Sequence, residues 1–122
     1  MNTVLWIVQI LLAGLFLITG LTKLTQPRLK MAAGPMRWAA DATDRQFRAI
    51  GLLEVLGALG LILPGALGIA PGLLPLAAIG LALTMVGAIA THVRYKEVDR
   101  VAVPVVVLGL ALFVAIGYAG VA

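Results

Sequence analysis

Residues 46–67 read QFRAIGLLEVLGALGLILPGAL, and this stretch decides the fold. It is long enough to cross a bilayer, which needs roughly 20 apolar residues at about 1.5 Å of rise each. It opens with a helix start signal: Thr43 lies three residues before Gln46, the spacing of a capping box, and Asp44 sits at the positive end of the helix dipole. A single carboxylate, Glu54, interrupts the run, and Pro64 stands near its end.

Three further stretches match it. They cover about residues 3–24, ended by Pro27, and about 73–93 and 101–121. In lipid every backbone polar group needs an internal partner, so apolar runs of this length are helices. The expected fold is all-α, a bundle of four transmembrane helices forming a single domain over residues 1–122.

Composition agrees. The chain is 62% hydrophobic and 11% charged, against about 45–50% and about 25% in soluble domains. Its mean hydropathy is +1.12. Too little polar surface exists to cover a water-soluble globule. The net charge of +4 therefore reflects loop charges, and nucleic acid is not an expected partner. The first residues, Met1 to Thr3, carry no Lys or Arg, so the first run reads as a retained span and not as a signal peptide.

All nine Lys and Arg residues fall within Lys23 to Arg48 or Arg94 to Arg100. The positive-inside rule places loops 25–45 and 94–100 in the cytoplasm of a multi-pass cell-membrane protein, with both termini outside. Loop 25–45 mixes Leu29, Met31, Met36 and Trp38 with Arg28, Lys30 and Arg37, a composition suited to the headgroup region. The link 68–72 is an uncharged turn.

Packing faces follow from helical spacing. Gln9, Ala13, Phe16, Gly20 and Lys23 share one face of the first span, and Gly51, Glu54, Ala58 and Leu61 one face of the second. On the third, Ala77, Gly80, Thr84, Ala88 and Thr91 form a small-residue stripe expected to meet the other helices. The fourth has Ala111, Ala115 and Ala119 at four-residue intervals on a Val- and Leu-rich surface, and is expected to be the most lipid-exposed.

Glu54 is the most informative residue. A carboxylate inside an apolar span costs about 3 kcal/mol on insertion scales, so it has to be neutral or paired with a cation. Lys23 ends the first span at the cytoplasmic side and is within reach of it in an antiparallel pair, although its stem also suits snorkelling to the interface. His92 ends the third span on the same side. Lys23, Glu54 and His92 thus form either a buried polar cluster that fixes packing or a small pocket for a headgroup, a quinone or a proton.

The chain has no cysteine and one histidine. Thiolate redox chemistry, disulfides and multi-histidine metal or haem centres within one chain are excluded. No catalytic site, no metal site and no cofactor bound by the chain alone are expected, so catalysis by this chain on its own is not expected either.

Leu15-Phe16-Leu17-Ile18-Thr19-Gly20-Leu21-Thr22-Lys23-Leu24 resembles the first-helix signature of the DoxX-like family. Arg48-Ala49-Ile50-Gly51-Leu52-Leu53-Glu54-Val55-Leu56-Gly57, followed by Leu63-Pro64, resembles its second. Met85-Val86-Gly87-Ala88 with Thr91-His92-Val93-Arg94 resembles its third. The resemblance implies a four-helix membrane protein. Some relatives are linked to membrane redox complexes, including a thiosulfate:quinone oxidoreductase and an assembly with superoxide dismutase; others are distant relatives of receptor-assembly chaperones. It places Lys23, Glu54 and His92 at motif positions. The expected role is an accessory or scaffold subunit of a membrane redox assembly, with a quinone as a conceivable ligand and a membrane protein or a second copy as partner. The alternatives are a small proton-coupled transporter or an assembly factor that uses Glu54.

Overall fold

The computed structural model describes residues 2–34, 36–69 and 72–119. Four long helices cross the bundle: α1 (Asn2–Thr25), α3 (Asp44–Leu67), α4 (Leu73–Arg94) and α5 (Ala102–Ala119), with a short α2 (Arg28–Ala32) between the first two. All four are long and apolar enough to span a membrane, and the described residues contain no strand.

The helix ends are set by local chemistry. α1 stops two residues short of Pro27, whose ring disfavours helical backbone before it. Thr43 and Gln46 form the expected reciprocal capping box at the start of α3. At its other end Gly68 adopts φ 66°, a left-handed conformation that only glycine enters without cost, and the Ile69 N–H reaches back to the Pro64 carbonyl at 3.0 Å.

The four spans form a ring in the order α1, α3, α4, α5, and α1–α3 and α4–α5 are its most extensive contacts. In α1 and α3 every expected inward residue is buried: Gln9, Ala13, Phe16, Gly20 and Lys23 on one helix, Gly51, Glu54, Ala58 and Leu61 on the other. Their backbones nearly touch. A Cβ added to Gly20 would lie 2.7 Å from the Gly51 carbonyl oxygen, and one on Gly51 would lie 2.7 Å from the Cβ of Lys23.

One packing expectation holds only in part and another fails: of the α4 stripe Ala77 meets Gly60 of α3 and Thr84, Ala88 and Thr91 line a cavity. The buried residues of α4 are Leu74, Ala78, Leu81 and Ala82, whereas Gly80 is exposed with open space where its Cβ would be. The notch belongs to the partner instead: Leu81 fills the space over Gly57 of α3. Nor is α5 the most exposed span. Ala111 and Ala115 face inward with Val107 and Val114, and α4 has the smallest buried share of the four. The second half of α4 has no buried residue and lines a cavity with Thr84, Met85, Ala88 and Thr91.

The two helix pairs meet closely at one end only. There, Leu5 packs over Gly117, Ala77 over Gly60, and Leu74 over Gly65. At the other end, the one carrying both basic loops, the pairs part. The segment between α1 and α3 folds across this gap as α2 and a 3-10 turn at Arg37–Asp41. It is more than a headgroup-layer segment: Ala39 is buried, and Trp38 stacks on Phe47 with ring centres 5.7 Å apart. Leu29 does face outward. Arg28 donates to the Ala39 carbonyl and to the Asp44 carboxylate, each at 2.8 Å. The Arg48 guanidinium donates to the carbonyls of Lys23 and Gln26, which are exposed acceptors at the end of α1.

Candidate functional site

The parting of the helix pairs leaves a cavity of about 530 Å³. Most of its wall is apolar, with Phe16, Ile50, Met85 and Val107 among the lining. Leu15, Leu53 and Val103 also line it and are exposed, so it opens at the sides of the bundle. Trp38 and Met36, from the segment folded across the bundle end, close it from below.

Polar groups are few and grouped. The Lys23 ammonium lies 2.7 Å from Glu54 Oε1, with both side chains almost fully buried. Lys23 therefore turns into the bundle and does not snorkel. The Thr19 hydroxyl donates to Glu54 Oε2 at 2.8 Å, while Oε1 has the Lys23 ammonium beside it but no hydrogen bond among the described residues. A buried ion pair of this kind is sustained only when additional hydrogen bonds satisfy the remaining lone pairs. Thr19 supplies one. Its position, one turn before Lys23 on the same face, was the available signal.

His92 lines the same cavity from α4 but does not join the pair. Its Nδ1 lies 3.2 Å from Oε1 of Glu97, a buried carboxylate that Arg100 approaches at 3.5 Å. The sequence groups Lys23, Glu54 and His92 in one polar cluster or pocket; the structure lines one cavity with all three but pairs His92 with Glu97 and not with Glu54. Glu97 lies in a charged loop and gave no sign in the sequence of being buried.

A third polar cluster sits nearer the closed end. Gln9, fully buried, donates to the Leu61 carbonyl at 2.8 Å and accepts from the Tyr118 hydroxyl at 2.5 Å. It ties α1 to α3 and α5 beside the turn disturbed by Pro64. At the loop end the Tyr95 hydroxyl donates to the Asp41 carboxylate, joining the two basic loops. That hydrogen bond is the main reason Tyr95 is raised above the ordinary phenol range.

Comparison with known proteins supplies the remaining evidence. The sequence model of the DoxX-like family matches residues 7–114, nearly the whole chain and all four spans. The chain belongs to the DoxX-like family. No curated protein and no solved structure gave a match. The family match includes Lys23, Glu54 and His92, so the cavity of this DoxX-like protein is built from the segments that the family shares.

Proposed function

We propose that this DoxX-like protein is an accessory subunit of a membrane redox assembly that holds an amphipathic ring compound of the quinone type in its cavity. The carrying observation is the cavity itself: an apolar chamber, open sideways, with the Lys23–Glu54–Thr19 cluster on one wall. Its volume is within the roughly 300–1,000 Å³ usual for small-molecule sites, which are mostly apolar with a few placed polar groups. A lateral opening suits a ligand that partitions into lipid. When bound, a quinone would supply the electron chemistry; the chain supplies a chamber that shields the ring from water and polar atoms that orient its oxygens. The partnered state of Glu54 favours this reading over proton-coupled transport, because the carboxylate is already committed to Lys23 and Thr19.

Trp38 reports on the site. The chain has two tryptophans, and only Trp38 lines the cavity. In a Trp6→Phe variant, a decyl-benzoquinone titration is expected to quench Trp38 emission to saturation. In Trp38→Phe, quenching of Trp6 is expected to rise linearly with partitioned quinone. Linear quenching in both variants would reject a binding site.

We further propose the orientation given by the charge asymmetry, with both basic loops in the cytoplasm. The hydrogen bond between Tyr95 and Asp41 places those loops together at one end. Single cysteines at Gly34 and at exposed Ile69 test it; Gly68 is avoided because of its positive φ. An impermeant thiol reagent on intact cells is expected to label position 69 alone. Labelling of position 34 alone would invert the assignment.

A further inference from the structure

The turn that ends α4 does something a simple helix stop does not require. Lys96 adopts φ 58°, the one described non-glycine residue with positive φ. The Lys96 N–H bonds to the Val93 carbonyl at 3.1 Å and the Glu97 N–H to the His92 carbonyl at 2.7 Å. This is the paired bonding of a Schellman turn, in which the left-handed position is usually glycine. Its effect is to fold the chain back by one residue so that the side chain of Glu97 lies against the ring of His92.

An ionised carboxylate can only accept hydrogen bonds. Arg100 lies 3.5 Å from the second oxygen of Glu97 and supplies a positive charge beside it. The contact to the carboxylate requires Nδ1 to carry the hydrogen; in the neutral ring that leaves Nε2 as the acceptor. The bond made by one ring nitrogen decides what the other offers. His92 is part of the cavity wall.

We infer that Glu97 is a positioning residue that fixes His92 as a hydrogen-bond acceptor towards the cavity, so that the cavity selects ligands bearing a hydroxyl donor, the phenol or quinol class, over their ethers. This rests on the cavity being a ligand site, as proposed above. Thr19 donates to Glu54, and the Lys23 ammonium lies against the same carboxylate with N–H groups to spare. That cluster offers donors, whereas a bare His92 nitrogen asks for one.

Two probes isolate that preference without redox chemistry: 4-nonylphenol and its O-methyl ether, which differ in one donor. By titration calorimetry in detergent, with empty micelles subtracted, the phenol is expected to bind about tenfold more tightly than the ether, the size of one good hydrogen bond. In His92→Phe the two affinities should converge to within about twofold, with the ether unchanged, because only the hydroxyl contact is lost. His92 is the sole histidine, so ¹⁵N-histidine NMR of the unmodified protein reads the tautomer directly. At about pH 8, above the ordinary imidazole range, Nδ1 is expected to carry the proton, and the Nε2 resonance should move with the phenol and not with the ether. Glu97→Ala should yield mixed tautomers. Equal affinities, or an Nε2–H tautomer in the unmodified protein, would overturn the inference and leave the cavity reading standing. If neither probe saturates and Trp38 is not quenched saturably, both fall.

Discussion

Replacing Glu54 by alanine is expected to destabilise the protein by about 3–5 kcal/mol, because it strands the buried Lys23 ammonium without its counter-charge. Glu54→Gln should cost clearly less. Glutamine fills the same space and keeps one acceptor oxygen, for Thr19 or for Lys23, where alanine keeps none. Removing both charges at once should be milder than the single losses imply: Lys23→Met combined with Glu54→Leu leaves an apolar contact where an unpaired ion stood. A double-mutant cycle on unfolding in detergent measures the coupling, expected at 1 kcal/mol or more on the ~0.5–3 kcal/mol scale of contacting residues. Additive effects would show that the 2.7 Å contact does not contribute to stability.

The other large effect is expected at the crossing of α1 and α3. Gly20→Ala puts a methyl 2.7 Å from the Gly51 carbonyl oxygen and 3.0 Å from the Val55 backbone nitrogen. Neither neighbour is a flexible side-chain end, so the helices themselves have to separate. Overpacking of this kind costs about 1–3 kcal/mol. Here it should also lengthen the Lys23–Glu54 contact one turn away, so the loss is expected at the upper end of that range. Gly51→Ala should behave alike, since its added carbon meets the Lys23 Cβ and the Gly20 carbonyl. Gly80→Ala and Gly109→Ala, which meet nothing within 4 Å, should be neutral or slightly stabilising, as alanine is the better helix former. Thermal unfolding of the four variants provides the comparison. Equal melting temperatures across the set would mean the crossing is not close.

The parts of this structure that were legible in the sequence are those governed by strong, local or unsigned rules. Span length and apolar content give the four helices, and Thr43 with Gln46 gives the start of α3. The inward faces of α1 and α3 were legible because each carries charge or amide among apolar residues, and lipid tolerates neither Gln9 nor Glu54. On α4 that marker is missing, and small residues were read as the contact stripe. The real contact pairs a large residue, Leu81, with a glycine on the other helix, Gly57. Periodicity cannot tell a helix that supplies the notch from one that supplies the knob. Glu97 was hidden for a related reason. Its burial depends on the backbone of Lys96 taking a conformation that lysine rarely adopts. Trp38 as the cavity floor was hidden too, since it depends on the segment between α1 and α3 folding under the bundle and not along the bilayer surface.

The Lys23–Glu54 contact also bears on biogenesis. The two residues lie on different helices, and synthesis delivers the lysine first. When the following span enters the bilayer its carboxylate finds a counter-charge only if the preceding span is still alongside. The polar cost of each span alone is thus cancelled by handing α1 and α3 to the lipid as one neutral hairpin, already joined at the glycine crossing. α4 and α5 carry no charge deep in their apolar stretches and need no such escort. The contact favours insertion of α1 and α3 together, ahead of the pair that closes the ring.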